Sequence, residues 1–159
     1  VRLNLACGSQ PVAGWVNTDF VAQPGVDVAW DLDEIPWPWG DGSAGEIRAF
    51  DIFEHVSDPL GFMAECHRVL ADAGTLFIHT SYWRSENSFT DPTHKRFCTE
   101  RTFDYWIPGT AYHARYGAAY GGHAHPFELV SRRLDGQELA FTFRKLGAAG
   151  TELTIEEGL

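Results

Sequence analysis

Apolar and polar positions along the chain follow two rhythms. Short apolar runs at residues 2–6, 15–20, 26–31 and 46–51 recur at close spacing and predict four strands. Between the third and fourth lies a loop rich in Pro, Trp and Gly, residues 35–45. The period then lengthens. Leu60, Met63, His67 and Leu70 stand at helical spacing, and Phe62, Cys66 and Val69 widen the same face. Ser57 or Asp58 caps this helix, Pro59 suits its first turn, and Ala73-Gly74 ends it. Residues 75–80 form a fifth strand, apolar enough for burial on both faces. A polar loop follows at 81–95. A short helix is expected at 99–106, stopped by Pro108-Gly109. Residues 110–125 show no clear period, and a stretch of that length is usually functional or mobile. Residues 127–134 and 137–146 flank Asp135-Gly136, a dipeptide favoured in two-residue hairpin turns. A frayed tail is expected at 151–159.

Composition narrows the class. The chain has 159 residues, 44% hydrophobic and 21% charged, which reads as one globular domain, residues 1–150, ahead of the tail. No apolar run approaches the roughly 20 residues of a membrane span. No basic stretch followed by an apolar run opens the chain, so no secretory leader is expected. Cys7, Cys66 and Cys98 are odd in number and widely spaced, which points to a reduced, cytoplasmic setting. The net charge of −10 is uneven: residues 1–66 hold 11 acids against Arg2 and Arg48 alone. Such a surface repels phosphate backbones, so nucleic acid is a disfavoured partner.

The first twenty residues carry the most chemistry. A strand, a small-residue turn (Ala6-Cys7-Gly8-Ser9) and a second strand ending in Asp19-Phe20 match the way open α/β sheets hold a ribose-bearing cofactor. Small residues admit the ligand to the backbone, and the acid receives the ribose hydroxyls. The gap from Gly8 to Asp19 is about half that of dinucleotide folds, where the acid lies about 20 residues on. No full helix fits between Gly8 and Trp15, so a loop must make the crossing. Asp19 read otherwise is an acid capping a strand end.

Taken in order, Leu3-Asn4-Leu5-Ala6-Cys7-Gly8, Gly14-Trp15-Val16-Asn17-Thr18-Asp19 and Val26-Asp27-Val28-Ala29-Trp30-Asp31-Leu32 resemble the class I S-adenosylmethionine-dependent methyltransferases. The likeness is to the small bacterial and phage type with a shortened first crossover. Phe50-Asp51-Ile52-Phe53-Glu54-His55-Val56, His67-Arg68-Val69-Leu70-Ala71-Asp72-Ala73-Gly74-Thr75-Leu76 and Asp91-Pro92-Thr93-His94-Lys95-Arg96-Phe97 extend it through residue 107. The resemblance implies a Rossmann-like, mainly parallel sheet with a reversed edge strand, helices on both faces and a reduced first helix. It also implies S-adenosylmethionine across the carboxyl ends of the first strands.

By that resemblance Asn4 stands where the family places an acid, Ala6 replaces the first glycine, Gly8 keeps its own, and Gln10 takes the third position. Asn4, Ala6, Cys7, Gly8, Asp19 and Phe20 become cofactor residues, with Cys7 as packing rather than nucleophile. Asp31 would face the adenine amine and Leu32 the ring, although Asp31 also suits a turn. Phe50 and Asp51 end the fourth strand beside the methionine moiety. Glu54 and His55 read as helix-entry residues, His55 as structural.

Asp91-Pro92-Thr93-His94 is the candidate for acceptor chemistry. Methyl transfer needs alignment, and a hydroxyl acceptor needs a base, a task suited to histidine near neutral pH. His94 is the expected base and Asp91 its orienter or a substrate contact. The alternative is a well-bonded loop that Asp91 opens ahead of Pro92. His113, His123 and His125 raise a metal reading, but no established ligand spacing is present, so no metal is expected. Tyr112, Tyr116 and Tyr120 repeat every four residues, as a core stripe or as an aromatic wall for an acceptor. The expected activity is methyl transfer to a small-molecule or glycan-like acceptor. Two alternatives stand beside it: a non-catalytic S-adenosylmethionine-binding or assembly module, and an NAD-dependent oxidoreductase. Acceptor identity, oligomeric state and closure of residues 110–125 stay open.

Overall fold

A computed structural model of the chain describes residues 1–147. The expected tail at 151–159 lies outside them. Seven strands form one mixed sheet, ordered β3-β2-β1-β4-β5-β7-β6. They are β1 (Arg2–Leu5), β2 (Val16–Asp19), β3 (Val28–Ala29), β4 (Ala44–Phe50), β5 (Leu70–Ser81), β6 (Phe127–Asp135) and β7 (Glu138–Lys145). The first five run parallel, and β7 enters antiparallel between β5 and β6. The reversed strand therefore lies one place in from the edge, because the hairpin partner β6 closes the sheet outside it. The helices are α1 (Pro59–Val69), α2 (Asn87–Thr90) and α3 (Ala111–Tyr116).

Parallel neighbours are normally joined by a helix of a dozen or more residues. Between β1 and β2 a side-chain network replaces it. Asn17, buried at the start of β2, accepts from the Asn4 amide at 2.9 Å and from Val12 N–H at 2.7 Å. Its own amide donates to the Val12 and Trp15 carbonyls, and its N–H donates to Asp27. One asparagine thus satisfies the buried polar groups of a loop crossing that would otherwise lack partners. β3 shrinks from the expected six residues to two. Asp27 turns its carboxylate to Asn17, and only single backbone bonds flank the pair, Asp27 N to Asn17 O and Trp30 N to Asp19 O.

Asp58 caps α1, accepting from Leu60 N–H at 3.0 Å and Gly61 N–H at 2.9 Å, with Pro59 in the first turn as expected. The helix stops at Val69, short of Ala73-Gly74, because Leu70 already pairs with Ala44. Ala73 takes φ +59° within the irregular stretch before pairing resumes at Thr75. No helix fills 99–106. Thr99 Oγ1 takes Arg101 N–H and Thr102 Oγ1 takes Thr99 N–H, and the backbone bonds close over three residues rather than four (Thr102 N to Thr99 O, Asp104 N to Arg101 O, Trp106 N to Phe103 O), leaving turns and a single 3₁₀ turn at Asp104–Trp106. The hairpin turns on Gly136-Gln137 rather than Asp135-Gly136. Asp135 still pairs with Glu138, and Gly136 adopts φ +60°, the left-handed first position of a type II′ turn.

The core lies on one side. Register aligns Leu3, Ile47, Leu76 and Phe143 across four strands, and Ala49, Ile78 and Phe141 in the next row. Phe62, Met63, Cys66 and Val69 of α1 cover them. Phe103 packs at 4.7 Å from Phe53 and 4.8 Å from Phe141, drawing the 3₁₀ turn onto the same face. Among the described residues no helix covers the other face. Phe50, Phe77 and His79 lie there half-buried and stacked, with the Arg48 guanidinium 3.9 Å from the Phe50 ring. β5 is accordingly sealed on alternate residues only, not on both faces.

Candidate active site

Strand order reverses between β1 and β4, and the crevice beyond the carboxyl ends of parallel strands at such a point is where open α/β sheets bind ligands. A cavity of about 470 Å³ opens there. Ala6, just past β1, and Asp51, just past β4, both line it and both adopt left-handed backbone, φ +50° and +48°. Non-glycine residues are held in that region at a cost of order 1–3 kcal/mol, and such strain concentrates at binding and catalytic sites. Gly8 also sits at φ +50°, with open space where a Cβ would point. The small-residue turn is thus a bend built for close backbone approach.

Asp19, at the tip of β2, is 7% exposed and forms part of the wall. Its Oδ2 accepts Gly8 N–H at 2.9 Å and its Oδ1 accepts Val21 N–H at 3.1 Å. These two bonds fix the carboxylate at the rim of the bend and leave a lone pair on each oxygen. Phe20 is exposed beside it. Trp30, Asp31, Leu32 and Asp33 form the facing wall. Asp31 both lines the cavity and opens a turn, accepting Asp33 N–H at 2.9 Å.

The remaining candidates lie off this wall. Asn4 is consumed by the Asn17 network. Cys7 is buried, and burial raises its thiol pKa, with Asp19 adding to the effect, which leaves it inert. The Phe50 ring stacks on His79 on the uncovered face, so at this strand end only Asp51 reaches the cavity.

A second cavity of about 690 Å³ adjoins the first, and Asp51 and His55 line both. Glu54, His79, Asn87, Asp91, His94 and Glu138 complete its polar wall. His94 Nδ1 donates to the Ser88 carbonyl at 3.0 Å. Asp91 does not orient His94. Its Oδ1 accepts from Thr93 N–H at 2.8 Å and from the Thr93 hydroxyl at 2.6 Å, bonds that hold its carboxyl below the usual range. Both readings of this loop meet here: it is a tightly bonded turn, and it faces the cavity. A nitrogen of His55, one of His94 and a carboxylate oxygen of Asp91 lie within 4.8 Å of one another. His79 donates from Nδ1 to Asp51 at 2.7 Å, and that bond raises its pKa. Burial raises the Glu54 carboxyl.

Sequence reasoning did not assign His55, His79, Glu138, Lys95 or Asp33 to a site. Lys95 reaches Ser57 Oγ at 2.7 Å and Asp33 at 3.6 Å, pinning the mouth of the first cavity. Its place beside His94 in the chain was the available signal. The Tyr112, Tyr116 and Tyr120 stripe lines neither cavity; the three rings gather around Tyr105. His113 and His123 pack ring against ring at 4.6 Å, and His125 lies against His67.

Residues 17–78 match a family model described as a methyltransferase domain. No curated protein sequence matches the chain. An S-adenosylmethionine-dependent methyltransferase structure from Aquifex aeolicus superposes with a TM-score of 0.60 at 13% identity, over 91% of this chain and 81% of that one. The 1,6-didemethyltoxoflavin-N1-methyltransferase of Burkholderia thailandensis, solved with 1,6-didemethyltoxoflavin and S-adenosylhomocysteine, superposes at 0.58 and 16% identity, over 92% and 71%. The [4+2]-cyclase SpnF does so at 0.58 and 14%, over 91% and 73%. At these identities the superpositions establish the fold alone. A cyclase among them illustrates that this fold does not by itself dictate the reaction. Among the described residues no helix is long and apolar enough to cross a membrane.

Proposed function

We infer, from the match of residues 17–78 to a methyltransferase domain and from the shape of the two cavities, that the chain is an S-adenosylmethionine-dependent methyltransferase that moves a methyl group to a small-molecule or glycan-like acceptor held in the second cavity. The observation that carries this reading is the meeting of the two cavities at Asp51 and His55. One cavity suits the cofactor and the other an acceptor, and the contact between them is where the methyl must cross. The residues of the first cavity fit the cofactor: the small Ala6 at the bend, a carboxylate at Asp19 fixed by the neighbouring Gly8 N–H, and the Trp30–Leu32 wall for a flat ring.

When bound, the cofactor supplies a methyl group on a positively charged sulfur, displaced in line by the acceptor. The chain's part is placement and proton handling. Asp19 receives the ribose hydroxyls, Asp31 the adenine amine, and Leu32 the ring face. Asp51 sits at the sulfonium end, where a carboxylate favours positive charge. His94 and Asp91 belong to the acceptor side. Among the described residues the second cavity is lined by acids, histidines and small polar groups without lysine or arginine, a lining that suits a neutral polyol or an amine better than a phosphate. Three free, buried cysteines fit a cytoplasmic setting.

Calorimetry separates the readings. S-adenosylhomocysteine should bind the whole chain and NADH should not. The reverse result would transfer the chain to nicotinamide chemistry. Binding without release of S-adenosylhomocysteine, from S-adenosylmethionine and the small-molecule fraction of a cell extract, would leave a cofactor-binding module.

A further inference from the structure

The hydrogen bonds around Thr93 decide which histidine nitrogen carries a proton. An ionised carboxylate only accepts, so the Thr93 hydroxyl proton, 2.6 Å from Asp91 Oδ1, points at Asp91. The same hydroxyl oxygen lies 3.0 Å from His55 Nδ1 and has only lone pairs left to offer. His55 Nδ1 therefore donates, and the lone pair of this ring sits on Nε2. Asp91 is held in its ionised form by the Thr93 bonds, which keeps the direction of the chain of bonds fixed. His55 alone among the histidines lines both cavities. His94 lines only the second, edge-on to His55 with ring centres 4.7 Å apart.

We propose that His55 is the general base of this site, fixed in its Nδ1-protonated form by an Asp91–Thr93 relay, and that its acceptor is methylated on a group that sheds a proton. The proposal rests on the methyltransferase reading. His55 Nε2 takes the acceptor's O–H or N–H proton while the acceptor's electron pair forms the bond to the methyl carbon. The carbon–sulfur bond breaks, its pair stays on sulfur, and the positive charge passes from sulfonium to imidazolium. Water then takes the proton from His55. Asp91 and Thr93 are positioning residues; His94 walls the acceptor. The Thr93 bridge draws His55 and Asp91 together, and His94, bonded to the Ser88 carbonyl, stands edge-on to His55.

Two readouts test this on the whole chain. In histidine-labelled protein, long-range ¹H–¹⁵N correlation should show His55 protonated on Nδ1. Thr93→Ser should keep that tautomer, and Thr93→Val should lose it. With S-adenosylmethionine saturating and the small-molecule fraction of a cell extract as acceptor source, His55→Gln should release S-adenosylhomocysteine about 10²-fold more slowly or worse. Thr93→Val should lose about tenfold through misplacement, and Thr93→Ser should recover most of it. An Nε2-protonated His55 in wild type, a tautomer untouched in Thr93→Val, or wild-type turnover in His55→Gln each overturns the proposal. So does a wild type that binds S-adenosylhomocysteine yet releases none from the extract. A wild type that does not bind it defeats the methyltransferase reading instead, and the tautomer result then judges the relay alone.

Discussion

Glu54→Gln should make the protein more stable, and more so as pH rises. Glu54 is 2% exposed, and neither carboxylate oxygen has a hydrogen-bond partner. The donors nearby compensate only in part: the Thr80 hydroxyl, which also reaches Cys98 Sγ at 3.7 Å, and the Glu54 N–H pull the pKa down less than burial lifts it, and Arg96 gives its guanidinium protons to the Phe53 and Val56 carbonyls on either side. Burial accordingly lifts the Glu54 pKa above its ordinary 4.5. The sign follows from proton binding. Above the ordinary value the unfolded chain has released this proton while the folded chain retains it, so the folded state binds more protons and stability falls as pH rises. The loss begins near pH 4.5, grows until the folded pKa is passed, and persists above it. An unpaired buried acceptor costs about 1–3 kcal/mol, and more when charged. Glutamine keeps the shape and removes only the charged part. The two proteins should therefore melt together near pH 4. By pH 8 the variant should lead by about 1–2 kcal/mol, which is roughly 2–8 °C for a domain of this size. Thermal melts in steps across that range, under identical buffer ions, measure it. A difference between the two that stays flat from pH 4 to 8 would show that the Glu54 carboxylate is solvated or paired, and the reasoning would fail. Because Glu54 also lines the acceptor cavity, slower turnover in the stabilised variant is the expected companion result.

Three other changes probe the remaining links. Asp19→Ala deletes the ribose acceptor and strands the Gly8 and Val21 N–H groups; calorimetry should show S-adenosylhomocysteine binding weakened about 10–100-fold, and near-normal affinity would remove Asp19 from the site. His94→Ala removes the acceptor wall from a cavity that the cofactor does not share, so turnover should fall about 10–100-fold with cofactor affinity intact; unchanged turnover would exclude His94 from the acceptor site. Phe103→Ala empties the position where Phe53, Phe141 and Phe143 converge and should cost about 3–5 kcal/mol in urea unfolding; a loss under 1 kcal/mol would mean that the 3₁₀ segment is not part of the cooperative core.

How far the sequence could be read depended on the range of the interactions involved. α1 was legible because its cap and its apolar face are local: Asp58, Pro59 and the periodic residues lie within one segment. The β1–β2 turn and the place of Asp19 at the tip of β2 are legible because the pattern of small residues followed by an acid is also contained in about twenty positions. Residues 99–106 form turns rather than a helix because their backbone bonds close over three residues and Phe103 is drawn against Phe53 and Phe141, long-range contacts that local periodicity does not register. His67 was read simply as part of an apolar face. The structure agrees, at the expense of its basicity: burial pushes its pKa down to about 4, even though its bond to the Leu146 carbonyl works the other way.

In the loop that lines the second cavity, the sequence suggests a pairing that the structure does not make. Asp91 and His94 stand three apart in sequence, and proximity along the chain suggested that one orients the other. In space Asp91 serves Thr93, two residues on, and Thr93 serves His55, which lies 38 positions upstream. That link exists because the loop after β5 folds back over the end of β4, where Lys95 N–H bonds the Glu54 carbonyl at 2.8 Å and Arg96 clasps the Phe53 and Val56 carbonyls. The two segments that resembled separate family motifs, residues 50–56 and 91–97, are thus the two halves of one device. Each half supplies part of a donor–acceptor chain that neither contains. A histidine at a helix entrance, read alone, has only a structural role to offer. The same histidine with a fixed proton on one nitrogen, facing the junction of two cavities, has a chemical one. For this reason Thr93 is the most informative position to substitute: it touches neither reacting atom in the proposed scheme, yet only its hydroxyl connects Asp91 to the ring of His55.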